Sequence, residues 1–201
     1  MTTAYAAWGM NKSTNLRLLA LEAAQRASAD LDNPKLGKEL GRDGKTLTFT
    51  PHALETVILS ATALEAGINE MAAWIRLGFL GEHALPEDFV RQRPTDKWAM
   101  VPRLLAGAEF DRGRSPWQDF STLVKLRDQL VHFKWHGEAP PDFMRALQAR
   151  DLCLPERPSV YWVDAALTDR VAKWAVATTD SMFEELARLL GRLNDPAWPW
   201  Q

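Results

Sequence analysis

An all-α fold is what the sequence predicts, and three observations carry that expectation. Apolar residues recur at three- and four-residue spacing over long stretches. Leu and Ala dominate the composition, while β-branched runs are scarce. Two pairs of a capping residue followed by proline, Thr50-Pro51 and Ser115-Pro116, stand at the head of periodic stretches. A chain of 201 residues suits one domain and is short for two. The expectation is a single domain over residues 1–201, a helical bundle with three long helices plus several short ones.

The first helix is expected from a cap at Ser13 or Thr14 to about Asp32, with Leu16, Leu19, Ala20, Ala23 and Ala27 along one stripe. A break follows, DNPKLGKELGRDGKTLTFT, with Asp43-Gly44 as its turn and TLTFT as a candidate short strand. From Thr50-Pro51 a helix runs to about Leu77 or Gly78, with Val57, Ala61, Leu64, Ile68, Met71, Ile75 and Phe79 on one face. Residues 81–94 read as a loop with one turn at EDFVRQ, and 95–106 as a short helix that Pro102 kinks or splits. Ser115, Pro116 and Gln118 match a capping box with proline at the first position, opening a helix that ends near Gly137. Pro140-Pro141 head a short helix to about Arg150, and LPERPSVYWV crosses to a last long helix from about Thr168 to Leu193. Its stripe is Val171, Trp174, Ala175, Thr178, Met182, Leu186, Leu189 and Leu193. The tail DPAWPWQ frays unless its tryptophans dock.

Composition narrows the function classes. A net charge of −2 offers no basic field that would draw nucleic acid by bulk attraction, so any RNA site must be local. The single Cys153 excludes an internal disulfide framework and a Cys-rich zinc site, which suits a reducing cytoplasm. The start MTTAYAAWGMNKSTN lacks the basic segment and apolar core of a signal peptide. No stretch approaches the roughly 18 apolar residues of a membrane span. The nine tryptophans are scattered and read as core and interface filler.

One stretch resists this bland reading: LRDQLVHFKWH, residues 126–136. On a helix at about 100° per residue, Phe120, Leu123, Val124, Leu130 and Val131 share one face. Arg127 falls near the middle of that face, with Lys134 one step along. The opposite flank carries Ser121, Lys125, Asp128, His132 and His136. Asp128 and His132 are four apart, so the carboxylate is within reach of the imidazole and can hold its tautomer. Arg127 and His132 lie roughly 140° apart, a gap that a long arginine spans by curling toward the histidine's side. By spacing alone, Arg127 reads as a structural ion pair with Glu65 or Glu70, and His132 as a solvated surface residue.

Within that stretch LRDQLVHF, residues 126–133, resembles the signature of the HEPN superfamily of helical-bundle proteins. The signature is Arg, then a polar residue, then His after a short spacer; here Arg127, Asp128 and His132 take those places, with four residues between Arg and His. The helix SATALEAGINEMAAW at 60–74 also resembles the long early helix of bacterial relatives, with Glu65 and Asn69 as its polar positions. The resemblance spans residues 50–193, leaving 1–49 as an N-terminal helix and loop extension; its sharp part is the motif itself.

What the resemblance implies is a cytoplasmic homodimer whose two motif helices face each other and build one composite site. The activity implied is a metal-independent endoribonuclease with no cofactor, in a prokaryotic toxin–antitoxin or defence setting. RNA and an antitoxin or other protein are the implied partners. Arg127 and His132 would carry catalysis with Asp128 in support, orienting His132 or holding Arg127. Glu65, Asn69, Lys125, Lys134 and His136 are supporting or RNA-contacting positions. The residue types suit the chemistry. Without a metal, RNA cleavage needs a base for the 2′-OH proton and an acid for the leaving 5′-oxygen, and His titrates in the right range. It also needs a cation for the phosphorane, and the guanidinium fork matches phosphate.

Two features keep other readings open. Asp128 replaces the commoner Asn after the Arg, which adds negative charge beside a site meant for phosphate. Lys125, Lys134, Arg112 and Arg114 would form a local basic rim, or simply be solvated. A non-catalytic HEPN-like binding or scaffold protein, and a plain structural bundle with a paired Arg127, are the alternatives. Other signals fail. His132 and His136 have metal-ligand spacing but lack the Glu of H-E-x-x-H. GRDGKT misses the phosphate-loop frame because Glu39 stands where the first glycine belongs. Ser121 lacks a nucleophile-elbow context, and Cys153 between two leucines reads as a buried thiol. Trp135 is open to base stacking or to a dimer interface.

Overall fold

The computed structural model describes residues 12–33, 35–36, 38–40, 46–132, 142–154 and 162–192. These are all-α apart from one short ribbon. In chain order they form α1 (Lys12–Ala29), β1 (Lys38–Leu40), β2 (Thr46–Thr48), α2 (Pro51–Arg76) and α3 (Pro94–Ala106), then α4 (Trp117–Val131), α5 (Phe143–Ala149), α6 (Trp162–Ala166) and α7 (Asp169–Leu189). Two 3-10 turns, Asp30–Asp32 and Phe89–Arg91, complete the set. β1 and β2 pair antiparallel with Lys38 opposite Thr48, so TLTFT does supply a strand. No helix among the described residues is long and apolar enough to cross a membrane.

The chain divides into two compact units, each discontinuous in sequence. One takes residues up to Arg17, Thr62–Ser121 and residues from Thr178 onward; the other takes Leu18–Ala61 and Thr122–Ala177. α1, α2, α4 and α7 each contribute a segment to both.

The first unit is built on an aromatic centre. Trp98 of α3 is fully buried and meets the rings of Phe110, Phe120 and Phe183 at 6.0, 5.8 and 5.5 Å, in edge or tilted geometry. Its indole N–H donates to the Leu64 carbonyl at 3.1 Å, so the buried donor is satisfied. Leu64, Ile68, Met71 and Ile75 of α2 are all buried, as the periodicity requires. Phe183 lies against Gly67, where an added Cβ would stand 2.5 Å from two ring carbons. Arg17 sits 5.0 Å from the centroid of the same ring and pairs with Asp180 at 2.7 Å.

The second unit has a different core. Ala24, Ala27, Ala53, Leu167 and Ala172 form a cluster of mostly small residues, with Phe49, Leu54, Leu130, Val163 and Val176 packed against it. Small side chains let the helix backbones approach closely. The ribbon is tied in through Phe49, which bridges Thr168, through Thr50 N–H to the Leu167 carbonyl, and through Thr48 N–H to buried Asp169. Thr168 acts as the N-cap of α7, its hydroxyl accepting from Val171 N–H at 3.2 Å while donating to the Leu152 carbonyl.

Several boundaries differ from expectation, each for a local physical reason. Neither Ser13 nor Thr14 caps α1. The buried Glu70 carboxylate of α2 accepts from Lys12 N–H and Ser13 N–H at 2.9 and 3.1 Å, and from the Ser13 hydroxyl. Leu19, expected on the buried stripe, is 48% exposed, and the alanines hold that face instead. Phe79 leaves the α2 stripe because Gly78, at φ 76°, turns the chain, with Phe79 N–H returning to the Trp74 carbonyl. Gly191 ends α7 in the same way, with Arg192 N–H returning to Ala187, so that helix stops short of Leu193, which lies outside the described residues.

Other departures concern proline and caps. Pro102 neither splits nor ends α3, which runs through it as one helix. Ser115 does not cap α4: its hydroxyl donates to the Asp119 carboxylate, and Gln118 Nε2 donates to the Gly113 carbonyl. α6 was not expected as a helix of its own. Trp174 and Leu189 are half-buried, whereas the rest of the described α7 stripe is buried, and Val131 of α4 is exposed. Asp43-Gly44, Pro140-Pro141 and the DPAWPWQ tail lie outside the described residues.

Two predictions follow from these contacts. Gly67→Ala should destabilise the protein by about 1–3 kcal/mol in denaturant unfolding, because overpacking against Phe183 exceeds the helix-propensity gain. Adding Phe183→Leu should shrink the penalty of the alanine, since the clash is gone. Separately, the Glu55 carboxyl is held below its ordinary range chiefly by the Arg26 hydrogen bond, with His52 adding to it. Its stabilising contribution is therefore present above the ordinary carboxylate range and lost as pH falls through the lowered value. Glu55→Gln should be slightly less stable than wild type at neutral pH, with the two unfolding curves converging in acid.

Candidate functional site

The motif occupies the last turns of α4, within the second unit. Buried Leu123, Val124 and Leu126 anchor the helix, and Leu130 packs on the alanine cluster. That leaves the flank of Lys125, Asp128 and His132 facing outward: Lys125 and His132 are exposed and Asp128 is half-exposed.

Arg127 emerges from the apolar side. Neighbouring residues on a helix point about 100° apart and do not ordinarily face one another. Yet Arg127 Nη1 lies 2.8 Å from Asp128 Oδ1. The two side chains therefore turn toward each other across one helical step, with Arg127 Nε buried. The Arg127 side chain is 21% exposed, that of Asp128 49%.

The other expected pairing is not made. Among the described residues, the Asp128 carboxylate does not hydrogen-bond the His132 imidazole, and the two are linked only by His132 N–H to the Asp128 carbonyl at 3.0 Å. A permanent guanidinium is the stronger partner for a carboxylate. Asp128 is thus placed to hold Arg127 rather than to orient His132.

The supporting positions divide. Glu70 is committed to the start of α1 and is not a counter-ion for Arg127. Asn69 accepts from Lys97 Nζ at 3.0 Å; Lys97 is buried, also donates to the Val90 carbonyl and lies 5.6 Å from the Phe89 ring centroid. Asn69 therefore has a structural duty in the first unit, and Glu65 is half-buried there. Arg112 stacks over Trp117 at 5.2 Å and Arg114 pairs with Asp111, so both arginines of the expected four-residue rim are engaged locally. Lys134, Trp135 and His136 lie outside the described residues. Among the described residues, no group of three or more His, Cys, Asp or Glu side chains could hold a metal ion.

Sequence reasoning missed one polar clamp. Arg170 Nη1 donates to both the carbonyl and the carboxylate of Asp151, a non-glycine residue at φ 57°. It fixes the loop that carries buried Cys153. The only local signal was an Asp able to adopt a left-handed conformation.

No protein-family model, curated protein or solved structure matches this chain.

The geometry separates fold from site. Arg127→Met keeps an unbranched apolar stem and breaks the pair with Asp128, so chemical denaturation should register a loss of about 1–2 kcal/mol with the fold intact. His132→Ala, at an exposed helix end, should stay within about 0.5 kcal/mol of wild type. A collapse of either variant would mean that the motif holds the fold rather than a ligand.

Proposed function

We propose that the protein is a HEPN-type endoribonuclease that cleaves RNA through its 2′-OH without a metal, acting as a cytoplasmic homodimer in a prokaryotic toxin or defence setting. The observation that supports this reading is the Arg127 guanidinium, partly exposed and paired with half-exposed Asp128, on the same helix end as exposed His132. A cation and an imidazole thus lie five positions apart at the end of one helix, the first partly exposed and the second exposed.

In the proposed reaction the imidazole of one His132 takes the 2′-OH proton as the oxygen attacks the phosphorus. Arg127 balances the charge gathering on the non-bridging oxygens. A protonated imidazole, supplied by the second protomer, returns a proton to the leaving 5′-oxygen. The products are a 2′,3′-cyclic phosphate and a 5′-OH. A second reading, a non-catalytic HEPN-like module that binds RNA, a nucleotide or a protein partner, is favoured by the carboxylate already resting on Arg127.

Purified protein should cleave RNA in EDTA, leaving 2′,3′-cyclic phosphate ends. Arg127→Ala and His132→Ala should each lower the rate by about a hundredfold or more, with far-UV circular dichroism unchanged. Varied RNAs left intact by a folded dimer would transfer the assignment to the binding module.

A further inference from the structure

We infer that Lys125 and Gln129 extend the site along α4, forming with His132 a track for the RNA strand on one side of the scissile bond. The inference rests on the reading of His132 as a residue that acts on RNA, and it names the part of the helix that holds the rest of the strand. The three residues stand at i, i+4 and i+7, which places them within a sector of about 60° and along about 10 Å of helix. All three are exposed, and among the described residues none of their side chains makes a hydrogen bond or an ion pair. Other polar groups of α4 are committed. Gln118 donates to the Gly113 carbonyl, Asp119 accepts from Ser115, and Arg127 pairs with Asp128. A cation, an amide and an imidazole are thus left open in order along one line.

That line suits a sugar–phosphate strand. A span of about 10 Å is longer than one phosphate group. With the scissile phosphate at His132, the Lys125 ammonium therefore meets a phosphate further along the same strand. An ammonium on a flexible stem is a point charge that follows a phosphate without a fixed geometry. Gln129, between the two, offers amide donors and an acceptor to a ribose or a base edge. Asp128 stands at the margin of the sector, and its pair with Arg127 offsets its charge toward a polyanion. A net charge of −2 supplies no bulk attraction, so the grip must be local. Arg112 and Arg114 are engaged elsewhere, which leaves Lys125 as the described member of the expected rim that is open to the strand.

The test uses the full chain and a fluorescein-labelled, mixed-sequence 2′-O-methyl RNA oligonucleotide, which has no hydroxyl to attack. Binding is followed by fluorescence anisotropy across a salt series. Lys125→Ala should weaken binding about fivefold at low salt, the size of one exposed charge contact. It should also flatten the log–log salt dependence by about 0.7, the share of one phosphate on a single strand. Lys125→Gln should do the same, and Lys125→Arg should restore both. Gln129→Glu, which sets a carboxylate on the line, should weaken binding in the same direction. Lys12→Ala, which removes an exposed lysine of α1, should change neither affinity nor slope. A wild-type slope kept in Lys125→Ala, or an equal loss in Lys12→Ala, would overturn the track and leave the RNA reading standing. An oligonucleotide that wild-type protein does not bind at low salt would remove both.

Discussion

The contact between Phe183 and the bare backbone at Gly67 is the constraint on which the first unit depends. The ring lies where a Cβ would otherwise stand, and from that position it offers an edge contact to Trp98 and a face to Arg17. Trp98 in turn gathers Phe110 and Phe120, while Arg17 reaches Asp180. A residue with no side chain thus sets the position of an aromatic cluster and of an ion pair on α1. The second unit has no comparable aromatic centre in its alanine cluster, where small side chains serve the same end of close helix approach.

Charge is settled in three ways in this protein, and the comparison clarifies the motif. Glu70 is buried and met by backbone N–H groups, which suit a carboxylate that must lose its water. Lys97 is buried among neutral acceptors and a ring face, without a carboxylate partner among the described residues. Arg127, one-fifth exposed, meets the half-exposed carboxylate of its own helix neighbour Asp128. The first two solutions close a group off. The third leaves the pair partly in contact with water.

Much of the fold was legible because periodicity is a local property. The α2 stripe from Val57 to Ile75, the all-α class and the Thr50 start all appear in the structure. What escaped was set by tertiary partners. No local pattern announces that a carboxylate fifty-seven positions away will cap α1 at Ser13. Gly78 and Gly191 were visible as glycines, yet only their left-handed backbone shows that the stripes end there. At the site, the 100° step predicted that Lys125 and His132 would be exposed and Arg127 partly enclosed. The choice of Asp128 between Arg127 and His132 was not foreseen, because spacing ranks distances and not the strength of competing partners.

The division of the chain into two interleaved units has a genetic consequence. The boundaries fall inside α1, α2, α4 and α7, between Arg17 and Leu18, Ala61 and Thr62, Ser121 and Thr122, and Ala177 and Thr178. No contiguous stretch of the gene encodes either unit by itself. A truncation that reaches the second unit from either end first removes part of the first, and each boundary between them falls within a long helix. Because α4 carries Phe120 of the aromatic centre as well as Arg127 and Leu130, a replacement of that helix alters both units at once.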